Sequence, residues 1–169
     1  MNIKIREASK ADARGIAALA REIWTEHYVP ISGKAHVDYM LNKFQSEAAV
    51  SKDIGDGFRY YVAEDKNKLV GYLAVCPKSD CLFLSKLYVL KEYRGNGIAR
   101  RFFDIAKEVC QSLKLDKICL TVNKRNASSI AVYKKLGFVI ESEMKKDIGD
   151  GFFMDDYAME CIIQRIGKV

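Results

Sequence analysis

Apolar residues along the chain follow two spacings, and each spacing predicts a different element. Alternation of apolar and polar residues predicts strands, whereas apolar residues three or four positions apart predict helices with one buried face. In the first half the pattern predicts, in order, a strand at 3–7, a helix from Ser9 that Pro30 and Gly33 end, helices at about 35–44 and 46–55, and strands at 58–64, 69–76 and 81–90. The last of these strands is apolar on both faces, as expected of a central strand.

A polar loop at 91–96 separates this half from a second half in which strands and helices alternate. The pattern there predicts a helix at 97–113, a strand at 117–122, a helix at 127–136 that Gly137 caps, and strands at 139–144 and 152–161. A crossover helix between two strands places those strands parallel and adjacent in the sheet. The chain is therefore predicted to form a mixed α/β sheet in one domain spanning residues 1–169.

Composition narrows the class of protein. Apolar residues make up 49% of the chain and charged residues 30%, a mixture that can bury a core, so disorder is not expected. No apolar run approaches the roughly 20 residues that span a bilayer, and the N-terminal residues lack the apolar block of a signal peptide. We therefore expect a cytoplasmic protein with no membrane partner.

The five cysteines and two histidines are the possible ligands of a zinc site. No two cysteines have CxxC spacing, their number is odd, and neither histidine lies near a cysteine in sequence. A zinc site or a disulfide framework is poorly supported by this pattern. The expectation is buried, reduced thiols and no metal.

A net charge of +6 favours a polyanionic partner, which includes both nucleic acid and a phosphorylated cofactor. The basic residues are spread along the chain without a run of five or six. A nucleic-acid-binding tail is therefore not indicated.

The segment from Tyr88 to Arg101 (YVLKEYRGNGIARR) carries the clearest chemical signal. A strand ends, a loop with Gly95 and Gly97 follows, and a helix begins, whose first amides have no partner within the helix. Glycines let a phosphate approach the backbone, and the helix dipole and nearby arginines add positive potential. GxGxxG and Walker patterns are absent. The segment predicts a pyrophosphate site, with an ordinary glycine turn as the structural alternative.

Two blocks of sequence carry a family resemblance. RGNGIA at 94–99 fits the pattern [QR]xxGx[GA], and NKRNASSIAVYKKLGF at 123–138 is similar to a second block in which an Asn precedes a helix ending in YxKxGF. The chain thus resembles the GCN5-related N-acetyltransferases over roughly Ile3 to Glu160. The resemblance implies an α/β (α+β) single-domain fold whose mixed, mostly antiparallel central sheet is flanked by helices, with a parallel pair splayed at the cofactor cleft. It also implies acetyl-CoA as cosubstrate and transfer of an acetyl group to a primary amine.

The resemblance further implies roles for individual residues. Backbone groups of Leu87, Tyr88 and Val89 would pair with the pantetheine arm, the amides from Arg94 through Arg100 would hold the pyrophosphate, and Tyr133 would act as general acid. The implied cofactor-binding residues are Leu87, Tyr88, Val89, Arg94, Gly95, Asn96, Gly97, Ile98, Ala99, Arg100 and Asn126. For Tyr133, packing beside Ile130 on one helix face is the structural alternative.

The general base is not evident from the sequence. In the branch of the family that acetylates ribosomal proteins, a glutamate stands on the strand before the Asn block, and Thr121 occupies that place here. The candidates elsewhere, for the base or for substrate contact, are Glu26, His27, Asp155 and Asp156. A core packing role is the alternative for His27, and a chain of waters could replace a side-chain base.

The acceptor is expected between the region 24–40 and the last hairpin, at 145–157. These segments contain the acids Glu26, Asp38, Asp147, Asp150, Asp155 and Asp156, and they are similar to bacterial polyamine acetyltransferases of the PaiA kind. Carboxylates facing a cleft would attract a polycation such as spermidine, although solvated surface acids are the structural alternative. Open alternatives are a protein amine acceptor, a non-catalytic coenzyme A-binding module and, on charge alone, nucleic-acid binding. A homodimer through an open edge strand is compatible with the pattern but not required by it.

Overall fold

The computed structural model describes residues 1–164, which fall into two compact units. The first unit comprises Met1–Cys76 and Lys86–Phe102, and the second comprises Pro77–Ser85 and the chain from Phe103 on. The elements are β1 (Ile3–Glu7), α1 (Ala13–Ser32), α2 (Lys34–Phe44), α3 (Glu47–Gly55), β2 (Arg59–Asp65), β3 (Lys68–Pro77), β4 (Leu82–Val89), α4 (Ile98–Ser112), β5 (Lys117–Asn123), α5 (Ala127–Leu136), β6 (Val139–Gly149) and β7 (Phe152–Ile162), with 3₁₀ turns at Lys10–Asp12 and Lys91–Tyr93.

The seven strands have the order β1-β2-β3-β4-β5-β7-β6. The pairs β1–β2 and β2–β3 are antiparallel, as are β5–β7 and β6–β7. Strands β4 and β5 are parallel, with Leu82 opposite Ile118 and Phe83 opposite Cys119. The prediction of a mixed, mostly antiparallel sheet with one parallel pair is therefore confirmed.

Helix α1 begins as predicted but ends later. Ser9 and Asp12 form a capping box around the 3₁₀ turn that leads into the helix. The helix continues past Pro30 to Ser32, so the expectation that Pro30 ends it is wrong. Pro30 has no N–H to donate to the carbonyl of Glu26, four residues back, so α1 contains it at the cost of one backbone hydrogen bond. Gly33 ends the helix with a φ of 86°, a conformation that favours glycine.

A buried lysine in the first unit fastens β4 to the ends of two helices. Lys86 is 6% exposed, and its ammonium donates to the carbonyl of Phe44 at 2.7 Å, the hydroxyl of Tyr60 at 2.7 Å and the carboxylate of Asp53 at 3.1 Å. The Tyr60 hydroxyl in turn donates to Asp53 at 2.7 Å. Burial lowers the pKa of Lys86 and raises that of Tyr60. These partners offset the cost of desolvating a charge in a strand that the sequence pattern presents as apolar.

In the second unit, the sequence predicts the end of α5 correctly but misplaces the ends of α4 and β6. Gly137, at φ 105°, caps α5 as predicted. Helix α4 ends at Ser112, so Leu113, predicted on its apolar face, lies outside the helix and is 37% exposed. Strand β6 continues to Gly149 rather than ending at Met144, because its backbone stays paired with β7 through polar residues that hide the alternation.

Cys81 and Cys119 form a disulfide in the second unit, with their Cα atoms 6.2 Å apart. The parallel register explains the contact, since Cys119 lies opposite Phe83 and Cys81 directly precedes β4. The expectation of reduced thiols is wrong for this pair, which the 38-residue separation hides from any spacing rule. Cys76, Cys110 and Cys161 form no disulfide among the described residues, and the last two are buried.

Thiol counting tests this disulfide. Protein purified without reductant and titrated with a thiol reagent under denaturing conditions should show three thiols, and five after reduction, because the chain has five cysteines and one bonded pair. A Cys81→Ser, Cys119→Ser double variant should show three thiols in both conditions. Five thiols in the unreduced wild-type protein would contradict the bond.

Candidate functional site

The glycine loop, Arg94–Arg100, joins the 3₁₀ turn after β4 to helix α4 in the first unit. Gly95 and Gly97 have φ values of 76° and 77°, in the left-handed region that side chains disfavour. A Cβ placed on either glycine would meet no atom within 4 Å, so the space beside both is open. Ile98, which is buried, anchors the first turn of α4 behind the loop. The loop therefore presents bare backbone at the positive end of a helix.

Hydrogen bonds within the loop hold its shape. The Asn96 side-chain amide donates to the carbonyls of Tyr93 and Arg94, both at 3.1 Å. The Arg94 side chain donates to the carbonyl of Val89 at 3.0 Å, which ties the loop to the end of β4. The Arg94 backbone N–H already donates to Lys91 at 3.1 Å. The Arg94 amide is thus already engaged within the loop, which leaves one amide fewer to face an anion than the sequence predicts.

The last residues of β4, Leu87 to Val89, lead into this loop, and an aromatic cluster fixes their position. The cluster consists of Trp24, Tyr28, Tyr72 and Tyr88. The Tyr88 ring lies 5.3 Å from Tyr72, 5.7 Å from Trp24 and 6.4 Å from Tyr28, measured between ring centroids. Trp24 and Tyr28 stack at 4.3 Å. Such aromatic packing gives the strand end, which is predicted to pair with pantetheine, a defined place.

In the second unit, Asn126 directly precedes α5 as its N-cap, and Tyr133 lies within the helix, two turns further on. Asn126 is 1% exposed and caps the helix, since its side-chain oxygen accepts from the Ser129 N–H and the Ser128 hydroxyl, both at 3.3 Å. The half-buried Tyr133 ring packs edge-on against Phe138 at 5.7 Å. Their roles toward a cofactor and a leaving thiolate stay predictions.

The acceptor candidates of the first unit lie at the end of α1 and in α2. Glu26 pairs with Lys91 at 3.3 Å, and Asp38 pairs with Lys34 at 2.5 Å, and both carboxylates are substantially exposed. His27 is half-buried, and its ring meets Tyr28 edge-on at 4.8 Å. Glu26 and Asp38 are thus engaged in surface ion pairs, which contribute little to stability.

The acceptor candidates of the second unit lie on the β6–β7 hairpin. Asp155 pairs with Lys124 at 3.0 Å, and Asp147 accepts the Gly149 N–H at 2.8 Å within the hairpin turn. Asp156 differs, because its side chain is buried, with 4% exposed. Burial, and then the negative charge of Asp155, raise the pKa of Asp156 to about 6, against the lowering effects of a Thr121 hydrogen bond and of Lys124.

Two arrangements were not predicted from the sequence. One is the set of hydrogen bonds that Lys86 donates to Phe44, Asp53 and Tyr60, and the other is the contact between Thr121 and Asp156. A single lysine in the apolar run CLFLSKLYVL is a visible signal for the first. The second depends on the register of β5 against β7, which places Asn123 opposite Asp156. No local pattern fixes that register.

The described residues, 1–164, also bear on metal binding and on membrane insertion. Among these described residues, no group of three or more His, Cys, Asp or Glu side chains is placed to hold a metal ion. Within the same part of the chain, every helix is too short or too polar to cross a bilayer.

Comparison with known proteins gives matches to one family. Residues 17–138, which contain the glycine loop, Asn126 and Tyr133, match the model of the acetyltransferase (GNAT) family. The prophage-derived N-acetyltransferase YokL of Bacillus subtilis is 32% identical over 102 residues, which cover 55% of this chain. The chain spans only about half of that relative's length, at 54%. The spermidine N(1)-acetyltransferase of Thermoplasma acidophilum is 22% identical over 146 residues, which cover 83% of this chain and 91% of the relative.

A solved structure has a fold similar to that of this chain. The PaiA N-acetyltransferase of Thermoplasma acidophilum, in complex with coenzyme A, superimposes with a TM-score of 0.83 at 22% identity, covering 96% of this chain and 99% of that one. This similarity shows the fold alone. The family match extends over most of the sequence and includes both motif blocks. The chain therefore belongs to the acetyltransferase (GNAT) family.

Proposed function

We propose that this chain transfers the acetyl group of acetyl-CoA to a primary amine. The observation that carries the proposal is the glycine loop, in which two left-handed glycines expose backbone amides at the start of α4. An anion at such a helix start gains both hydrogen bonds and the helix dipole. Membership in the acetyltransferase family makes the diphosphate of coenzyme A the fitting anion.

We assign the contacts with acetyl-CoA to the glycine loop, the end of β4 and Asn126. Amides from Gly95 to Arg100 hold the diphosphate, and Arg94 supports the loop through Val89. The backbone of Leu87 to Val89 pairs with the pantetheine arm, and Asn126 hydrogen-bonds that arm. The guanidinium of Arg101 donates to the carbonyl of Ile3 at 3.1 Å, and its charge adds positive potential near the loop.

The proposed chemistry is direct attack of the amine nitrogen on the thioester carbonyl. The tetrahedral oxyanion is stabilised by a backbone N–H near Val89. The C–S bond breaks, and the Tyr133 hydroxyl gives a proton to the leaving thiolate. An amine has a free pKa of about 10, so it must lose a proton before it attacks.

For the acceptor we propose a polyamine. A relative that aligns with most of the chain is named a spermidine acetyltransferase, which supports this class. Of the acids that would attract the polycation, Glu26 and Asp38 are engaged in surface ion pairs, whereas Asp156 is buried. A protein or peptide amine is the alternative acceptor, and a module that binds coenzyme A without turnover is the alternative to an enzyme.

An amine panel tests the acceptor. With acetyl-CoA, release of free thiol should be faster with spermidine than with amino acids or peptides whose side chains are uncharged, since spermidine offers further positive charges to the acids beside its reacting amine. Mass spectrometry of each acceptor identifies the acetylated nitrogen. Turnover of peptides without turnover of any polyamine would end the polyamine assignment, and binding of acetyl-CoA without turnover of any acceptor would favour the binding module.

A further inference from the structure

Asp156 is a buried carboxylate at the end of the sheet in the second unit. Its side chain is 4% exposed, and it lies in β7 opposite Asn123 of β5 and Met144 of β6. The Thr121 hydroxyl donates a hydrogen bond to it. A carboxylate buried this deeply is costly unless it is paired or has a function that retains it.

The charged groups around Asp156 leave it without a matched partner. Its chain neighbour Asp155 repels it, and Lys124, which follows β5, attracts it. Lys124 is shared, however, with Asp155 at 3.0 Å and with Glu143 of β6 at 3.5 Å. The neighbour opposite on β6, Met144, is apolar. Asp156 is therefore held by a neutral hydroxyl rather than by a dedicated ion pair.

The other base candidates have different surroundings. Glu26 and Asp155 are exposed and ion-paired, at 3.3 Å and 3.0 Å. A carboxylate that a lysine already engages is less available to a substrate ammonium group. A general base works best when its pKa is near the working pH. With its pKa raised to about 6, Asp156 is charged at neutral pH and still able to take a proton.

We propose that Asp156 is the general base that takes a proton from the acceptor's ammonium group, and that Thr121 is the residue that positions it. This inference rests on the proposed amine acetylation. Thr121 occupies the position on β5 where the branch that acetylates ribosomal proteins has a glutamate. Thr121 has no carboxylate of its own, but its hydroxyl contacts the carboxylate of Asp156 on the neighbouring strand β7.

The protons balance over one turnover. One ammonium proton passes to an Asp156 carboxylate oxygen and then to solvent, and the neutral nitrogen attacks the thioester carbon. The C–S bond breaks, and Tyr133 protonates the thiolate. The second nitrogen proton, lost as the amide forms, restores Tyr133 by way of water. The products are an N-acetyl amine, coenzyme A and one released proton.

The pH dependence of Asp156→Asn tests the proposal. In the wild type, the rate constant for acetyl transfer to bound spermidine should rise as pH increases through about 6 and then level off, because Asp156 accepts a proton only when charged. The variant should be about a hundredfold slower at neutral pH, the lower end of the range that a positioned base contributes. Its rate should climb steadily toward the pKa of the amine, about 10, since the solution then removes the proton. The deficit should therefore shrink as pH rises.

The rise of the wild-type rate with pH is called the limb below. Two further variants should move the pH of this limb in opposite directions. Asp155→Asn removes a neighbouring negative charge and should shift the limb near pH 6 to lower pH, whereas Thr121→Val removes a stabilising hydrogen bond and should shift it to higher pH. Glu141→Gln, which removes one exposed carboxylate of β6, should leave the limb in place. Asp156→Glu should restore part of the neutral-pH rate.

The outcomes separate this inference from the proposed function. If the wild type acetylates no amine, the proposed function fails. If the wild type is active but Asp156→Asn shows the same pH profile, or a deficit that is equal at every pH, Asp156 is a structural residue and the inference is overturned. Should Asp156→Asn fold poorly by circular dichroism, the limb shifts of Asp155→Asn and Thr121→Val decide, and an unmoved limb in both overturns it.

Discussion

Replacement of Tyr133 by Phe should reduce the single-turnover rate of acetyl transfer by about a hundredfold to ten-thousandfold, the range that a positioned acid contributes. The hydroxyl is the only group lost, and the ring that packs against Phe138 at 5.7 Å is kept. Acetyl-CoA affinity and thermal stability should therefore stay near those of the wild type. A rapid-quench assay with the best amine of the panel measures the rate, and calorimetry measures the affinity.

Tyr61→Phe provides the matched control, because Tyr61 is another half-buried tyrosine, placed in β2. It should transfer acetyl groups at the wild-type rate. A Tyr133→Phe protein that keeps the full single-turnover rate would remove Tyr133 as the acid and leave it a packing residue beside Ile130. Loss of acetyl-CoA affinity together with the rate would instead indicate a structural effect of the hydroxyl.

Signals contained in a few consecutive residues predict much of the fold. Ser9 with Asp12 marks the start of the first helical segment, and Gly137 marks the end of α5, because the capping interactions involve near neighbours in sequence. The glycine loop belongs to the same class, since strand, glycines and helix start follow one another directly. A proline is weaker evidence for the end of a helix, because α1 continues beyond Pro30 to Ser32.

Features that depend on strand register could not be predicted. The disulfide between Cys81 and Cys119 and the contact between Thr121 and Asp156 both join different elements. A shift of one residue in register would reverse the faces of every side chain in the strand, and no local spacing determines which register is chosen. The same holds for Lys86, whose position in an apolar strand is visible but whose helical partners are not.

Replacement of Gly97 by Val should weaken acetyl-CoA binding by about a hundredfold, which equals about 3 kcal/mol. Gly97 has a φ of 77°, which a β-branched residue disfavours, so the loop must change its backbone to accept the side chain. Loss of two amide bonds to the diphosphate, at about 1.5 kcal/mol each, accounts for the effect. Calorimetric titration of each protein with acetyl-CoA measures it.

A second ligand tests whether the effect of Gly97→Val depends on the nucleotide half of acetyl-CoA. S-acetylpantetheine lacks that half, including the diphosphate, so the wild type should bind it far more weakly than acetyl-CoA, whereas Gly97→Val should weaken only acetyl-CoA and so reduce the difference between the two ligands. Gly57→Val is the matched control, because Gly57 also has a positive φ, at 98°, and open space around it, but lies between α3 and β2. It should lose stability and keep the wild-type preference for acetyl-CoA. If the folded Gly97→Val protein keeps that preference as well, the amides of the glycine loop do not hold the diphosphate.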